Sequence, residues 1–336
     1  MRIYLIYEAG GSLDMKQVMI VLVAIFTLGI AGCSQDAPNS DKRTATADKS
    51  DEEAISITDF SDRTVTFNSV PQNIVALGDG EMDIIYALGG ELVGRATTGG
   101  SASVKVKEAE DVMEVGSAHG MDLEKVTSLQ PDVVLGNHPM NLNDIPSVEG
   151  IGSQMVLTSA NSIDEIKEQI TLFGDLLKEE EKSKEIVQTI DEKIKTIQSQ
   201  QQKEKPRILL VYGAPGTNMA ALPNSLSGDI LELAGGENIA KDYPGLESYP
   251  QYAQLNAERI IEANPQIILF MGHGNPDQVK DSFITEMEQN AGWQHLDAVK
   301  NNRFEILPSN LFGSNPGTQI VDSLDYLNNL LTELES

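Results

Sequence analysis

The chain has 336 residues, 40% of them hydrophobic and 5% aromatic, enough for about two domains with real cores. Its 24 basic and 51 acidic residues leave a formal net charge of −27, which excludes nucleic acid as a partner, because that binding needs a basic surface to release counterions. The acidic excess is spread along the chain with no long block, the pattern of a solvated surface rather than of a charged tail.

The first stretch with a clear message is "MKQVMIVLVAIFTLGIAGCSQ", Met15 to Gln35. A basic residue, an apolar core and small residues before Cys33 are the layout of a secretory signal, too short for a membrane span. Met15 reads as the true start, with residues 1–14 an upstream extension, so 1–32 is signal peptide. Cys33 is the only cysteine, which leaves no internal disulfide and no thiolate metal cluster. The ending "IAGC" resembles the lipobox of bacterial lipoproteins, which implies cleavage before Cys33, a diacylglyceryl thioether on it, palmitate-type acylation and anchoring to the cell membrane. Residues 33–54, polar and charged, read as a lipidated disordered tether.

Strands and helices then alternate. "NIVAL" (Asn73 to Leu77) reads as a strand and "GEMDIIYALGG" as a helix, followed by "LVGRA", a helix over "DLEKVTSL", and strands "DVVLGN" and "QMVLT". Ser162 followed by Glu165 caps the next helix. Such alternation predicts a parallel sheet covered on both faces, and residues 55–176 form an N-terminal lobe.

Between Ser162 and Lys203 there is no proline, and only Gly174 interrupts the helical pattern. Ile186, Ile190, Ile194 and Ile197 make one apolar stripe on "KEEEKSKEIVQTIDEKIKTIQSQQQK", a segment of about 39 Å if wholly helical. Residues 177–205 are thus predicted to be one rigid connecting helix, packed along both lobes. A second α/β segment follows, 206–336: the strand "RILLVYGAPG", a helix over "DILELAGGEN", "NAERIIEANPQIILF", "NRFEILP" and a final helix. The fold class is α/β, with two Rossmann-like lobes joined by a single long α-helix and a ligand cleft between them.

Within "IILFMGHGNPDQV" the apolar run Ile267–Met271 reads as a buried strand, and the glycines and Asn275-Pro276 after it force a turn. His273 is therefore expected in a loop at a strand's carboxyl end, where open α/β sheets bind ligands. His119 lies in a similar glycine-flanked loop across the cleft, His138 follows another strand end, and His295 in "WQHL" reads as structural. The loops "LGDGEMD" and "ATTGGSAS" lack the G-x-G-x-x-G and Walker patterns. They read as cleft wall, contributing Gly78, Asp79, Gly80, Arg95 and Thr97. No H-E-x-x-H or H-x-x-E-H spacing and no nucleophile–base motif occurs, so the chain reads as a binding protein and not an enzyme. A histidine-based zinc-binding protein or metal hydrolase is the remote alternative.

Six segments in order over Ile57 to Leu334 carry a family resemblance: "VPQNIVAL", "YALGGELVGRA", "VGSAHGMDLEKVTSLQPDVVL", "ILELAGGENIA", "ERIIEANPQIIL" and "GWQHLDAVKNNRFEILP". The chain resembles the helix-linked, class III substrate-binding proteins of ABC importers for iron chelates, haem and cobalamin. Its C-terminal part especially resembles the haem-receptor lipoproteins of Gram-positive bacteria, the iron-regulated surface determinant E type. That resemblance implies haem as the transported ligand, with ferric siderophore or cobalamin as the alternatives. It implies an axial role for His273 and a second axial ligand on the other lobe, where the group has a methionine. Here His119 occupies the matching place, with Met121 two residues on, and both ligations are chemically sound.

The resemblance also implies a cleft wall in "YGAPGTN", contributed by Tyr212, Gly213, Pro215, Gly216 and Asn218, and completed by Gly272, Gly274 and Phe312. Arg95, Lys105 and Lys107 stand where they would meet haem propionates, although the haem group's own propionate-side residues are not matched here. Glu124 and Glu232 match family positions that dock on permease arginines. The implied partners are an ABC permease dimer with its cytoplasmic ATPase and an upstream surface haem-binding protein. The protein is expected as a lipid-anchored monomer on the extracellular face of a Gram-positive cell membrane. The cobalamin binders place a tryptophan where this chain has Ala118, and Trp293, the only tryptophan, lies far off in the C-terminal lobe.

Overall fold

The computed structural model describes residues 54–97, 109, 111–117, 119–201, 204–214, 217–272, 276–289 and 291–335. The signal peptide, Cys33, Lys105, Lys107, Pro215, Gly216, His273 and Gly274 lie outside the described residues.

A hairpin of β1 (Ile55–Thr58) and β2 (Thr64–Phe67) opens the chain. The N-terminal sheet follows: β3 (Ile74–Ala76), β4 (Gly94–Arg95), β5 (Met113–Glu114), β8 (Val133–Asn137) and β9 (Gln154–Thr158), in the order β5-β4-β3-β8-β9. Every pairing is parallel, as the alternation requires. A small hairpin, β6 (Gly116–Ser117) with β7 (Gly120–Met121), hangs from it. Helix α1 (Asp79–Leu88) follows β3, α2 (Leu123–Leu129) follows β7, and α3 (Ile145–Gly150) joins β8 to β9.

Helix α4 (Ile163–Leu177) starts as the sequence indicates, Ser162 Oγ accepting from the Glu165 amide at 3.1 Å. The connection to the second lobe differs from expectation. Lys178, with φ 56°, is a left-handed cap whose N–H bonds back to Asp175 and Gly174. The connecting helix α5 therefore runs only Glu180–Gln200, about 32 Å, rather than over 177–205. Gly174 does not interrupt α4. Instead, a Cβ there would overlap Ser183, so the missing side chain lets α4 and α5 pack together. The isoleucine stripe is as predicted: Ile190 and Ile197 are buried, with Ile186 and Ile194 packed at the margin.

In the C-terminal sheet, strands β10 (Arg207–Ala214), β14 (Ile267–Gly272) and β15 (Phe304–Ile306) are parallel. Strand β11 (Thr217–Ala221) turns back antiparallel on β10 and pairs antiparallel with β13 (Tyr252–Gln254). The order is β13-β11-β10-β14-β15, with β12 (Glu237–Asn238) also on β10, so this sheet is mixed where an all-parallel one was expected. Helices α6 (Leu226–Leu233), α7 (Ala257–Ala263), α8 (Pro276–Glu288) and the terminal α9 (Ile320–Glu335) cover it.

Period-2 alternation sorts the strand residues into three cores. Val75 and Leu77 pack into an outer core of the N-terminal lobe, and Leu209, Val211, Ile268 and Phe270 into one of the C-terminal lobe. Ile74, Ala76, Ile208, Leu210, Ile267 and Leu269 all enter a third core that also takes in α4, α5, α6 and α9. The two lobes thus share one continuous apolar core, which resists hinge motion between them.

Candidate functional site

All five N-terminal strands end on one edge, and the residues just beyond those ends are the predicted cleft residues. Gly78, Asp79 and Gly80 follow β3, Thr97 follows β4, His119 tips the β6–β7 hairpin, and His138 follows β8. In the C-terminal lobe the parallel ends are Ala214, Gly272 and Ile306. The strand end at Gly272 falls directly before His273, as the apolar run predicts.

The two edges meet. Residues 315–318, beyond β15, seat on the start of α1: the Asp83 carboxylate accepts from Thr318 N at 2.7 Å, Thr318 Oγ1 at 2.6 Å and Gln319 Nε2 at 3.2 Å. A Cβ on Gly80 would overlap the Asn315 side chain, so glycine is what permits this approach. A second junction joins Gln251 Nε2 to Asn161 Oδ1 at 3.1 Å, and a third brings the Ile163 amide to Asp229 Oδ2 at 2.7 Å.

His119 is exposed at its hairpin tip, whereas Met121 is half-buried and packs against the outer core of Val115 and Val126. The hairpin is held at its root. Gly116 sits at φ 102° with no room for a side chain, the Val115 amide donates to Arg95 O, and the Asp122 amide donates to Val115 O at 2.7 Å.

Arg95 does not point free into the cleft. It is 7% exposed, pairs with Glu114 Oε1 at 3.0 Å, and donates from Nε to Ala109 O and from Nη1 to Ala96 O. Burial raises the Asp79 carboxyl and the nearby Arg95 charge opposes that rise. Thr97 is exposed and its hydroxyl reaches Glu114 at 3.3 Å.

On the other wall, Tyr212 is half-buried at the end of β10, its ring 4.8 Å from that of Tyr252, and Gly213 is buried. Asn218 is half-buried, and Gly272 and Phe312 are buried. His138 is half-buried, its amide on Thr158 O at 2.7 Å, while His295 is exposed in a short 3-10 turn. Trp293 belongs to the outer core beside Phe283, 5.5 Å between ring centroids. Glu124 lies in the first turn of α2 and Glu232 near the end of α6, both exposed. Among the described residues no group of three or more His, Cys, Asp or Glu could hold a metal ion, and no helix is long and apolar enough to cross a membrane.

Asp83, Gln169 and Asn315, which tie the lobes, and Glu81, bonded to Thr158 within the N-terminal lobe, were not expected from the sequence. The signal was present in "DGEMDIIYAL", where Glu81 and Asp83 stand on opposite sides of a short helix and are both buried beside Met82, Ile84 and Ile85.

Two α/β lobes sharing a core, each with the carboxyl ends of its parallel strands on one edge, have the architecture of a ligand-binding protein. The chain belongs to the periplasmic binding protein family, whose profile matches residues 74–311; its members are transport proteins that bind substrates rather than transform them. Over 207 residues it is 31% identical to the high-affinity heme uptake system protein IsdE of Staphylococcus aureus strain Newman, covering 61% of this chain and 69% of that protein. The crystal structure of S. aureus IsdE complexed with heme superposes with a TM-score of 0.67 at 28% identity, over 77% of this chain and 98% of that one. An ABC transporter substrate-binding protein from Listeria monocytogenes EGD-e gives a TM-score of 0.67 at 31% identity, over 78% and 99%.

Proposed function

We propose that this protein is a lipid-anchored haem receptor that captures iron porphyrin outside the cell and delivers it to an ABC permease. The observation that carries this reading is the position of His273 directly after the strand end at Gly272, in a chain similar to a haem-binding relative over both lobes. The imidazoles of His273 and His119 are the axial ligands, one from each lobe, because trans ligation of a flat porphyrin needs donors on both of its faces. Exposure of His119 and packing of Met121 into the core favour the histidine.

Binding is driven by burial of the porphyrin face together with the iron–imidazole bonds. Tyr212, Gly213 and Asn218 line one wall, while Gly78 and Thr97 line the other; Gly80 is covered by the Asn315 side chain. Glu124 and Glu232, exposed on separate lobes, dock on basic permease residues by charge complementarity. Cys33 carries the lipid and residues 33–54 the tether, on the extracellular face of a Gram-positive membrane.

The test is an absorption spectrum of the protein as expressed, followed by titration of the apoprotein with hemin, a ferric hydroxamate and cyanocobalamin. A sharpened Soret band with hemin alone supports the reading. Saturable binding of either of the other two without a hemin response would replace it with a siderophore or cobalamin receptor.

A further inference from the structure

Glu81 lies in the first turn of α1, next to the cleft-side Gly80, and is only 3% exposed. Its Oε1 is 2.6 Å from Thr158 Oγ1 at the carboxyl end of β9. The same hydroxyl is 3.2 Å from the carbonyl oxygen of Gly136 on β8. Thr158 is wholly buried, and a hydroxyl has one proton to give. With Glu81 ionised, that proton is contested between a carboxylate and a carbonyl. With Glu81 protonated, both contacts are hydrogen bonds: the Glu81 acid donates to Thr158, and Thr158 donates to Gly136.

The surroundings favour the neutral acid. On its own helix stand Asp79 and the buried Asp83, both acidic; β9 contributes the uncharged Thr158, α4 the uncharged Gln169, and the segment after β15 the uncharged Asn315. Arg95 acts on Asp79 and is tied to Glu114. An ionised Glu81 would be a buried charge with no cation against it, which is costly in a low-dielectric interior. Gln169 adds a second link. It is fully buried, its Oε1 accepts from Asn315 Nδ2 at 2.8 Å, and its Nε2 reaches no partner within hydrogen-bond distance. That amide stands beside the Glu81 carboxyl without a hydrogen bond to it, so Glu81 reaches Asn315 in the C-terminal lobe only by packing through Gln169.

We propose that Glu81 is held as the neutral acid and acts as a positioning residue, fixing the first turn of α1 against β8 and β9. Through Gln169 and Asn315 it also fixes that turn against the C-terminal lobe, so that the cleft wall and the interlobe fit loosen when Glu81 ionises. Burial raises its carboxyl above the usual value of 4.5; the Thr158 hydroxyl, the backbone amide of Glu81 itself and the Gln169 dipole oppose the rise, and the Asp79 charge adds to it. Because the folded value lies above the unfolded one, the stabilisation is complete below about pH 4.5 and is lost as pH rises toward the folded value.

The experiment is thermal unfolding of the full chain, wild type and Glu81→Gln, from about pH 5 to about pH 9, alongside infrared spectroscopy of the wild type. The amide in Glu81→Gln keeps a donor for Thr158 but cannot ionise. The two proteins are expected to melt together at the acid end, with the variant pulling ahead as pH rises. Amide protection over residues 315–319, corrected for intrinsic exchange, should fall with pH in the wild type only. Parallel melting curves overturn the proposal. Infrared tests it without relying on that variant's folding: the wild type should show a protonated-carboxyl carbonyl band at neutral pH that shifts in Thr158→Val. Absence of that band overturns the proposal as well.

Discussion

Asp83 and Thr318, separated by 235 residues of sequence, are bound twice: the Asp83 carboxylate accepts from the Thr318 amide at 2.7 Å and from its hydroxyl at 2.6 Å. Asp83 belongs to the helix that starts the N-terminal cleft wall, and Thr318 to the segment that leaves the C-terminal sheet. This pair is therefore one of the junctions that fix how the two lobes meet.

Replacing Asp83 with alanine removes the acceptor for three donors at a site that is 1% exposed. Hydrogen bonds to a charged group set the expected loss at about 2 to 3 kcal/mol, read by urea unfolding. Asp83→Asn should recover only part of it, because the amide offers a single acceptor oxygen. Wild-type stability in both variants would remove the pair from the account of lobe geometry.

Arg95 separates a structural role from a ligand-binding one. Its contacts with Glu114, Ala96 and Ala109 predict that Arg95→Met costs about 1 to 2 kcal/mol of stability, mostly from the carbonyls left without a donor, and that lysine, lacking the planar fork, does not rescue it. Hemin affinity of the folded fraction should hold. Unchanged stability with weakened hemin binding would make Arg95 a propionate partner instead.

Gly116 at φ 102° lets the His119 hairpin close against the Gly120 carbonyl. Alanine there forces strain on the order of 1–3 kcal/mol into a peripheral element. Hemin affinity measured by Soret titration is expected to drop while the melting temperature changes little. An unaltered titration would mean that this hairpin does not carry the second ligand.

Burial pushes the Tyr252 hydroxyl up to about 12, with Tyr212 beside it adding to the effect. Burial and the neighbouring Glu305 push Tyr326 up to about 12 as well. Both folded values exceed the ordinary 10.0, so the stability these groups contribute persists below that pH and is lost as pH rises from 10 toward 12. Burial also raises Tyr212 and Tyr243, so ultraviolet titration should show a late-titrating group of tyrosines that includes Tyr252 and Tyr326 at its upper end, and Tyr252→Phe should remove one of its members. A single transition for all eight tyrosines in the chain would contradict the packing described.

Local chemistry was readable wherever it was written in neighbouring residues. Strand β9 runs Gln154–Thr158 as its apolar run indicates, and Ser162 caps α4. The break at Lys178 escaped because it depends on tertiary packing: Gly174 lets Ser183 approach, and a lysine then takes a left-handed turn. The antiparallel β11 and β13 escaped because the direction of a short strand is set by what it pairs with. Arg95 looked like a free cation because its partners Ala109 and Glu114 come from beyond the loop that follows its strand. Of the site, the strand-end loops were legible and the bonds that lock the lobes were not. Asp83 gives no hint in sequence of Thr318.

The central claim is that His273 holds a haem iron, and its most direct measurement is Soret titration of the wild type and His273→Ala with hemin. The account predicts a sharpened, saturable band in the wild type, with affinity at least about tenfold weaker and a shifted spectrum in the variant. A variant whose spectrum and affinity superpose on the wild type would contradict it.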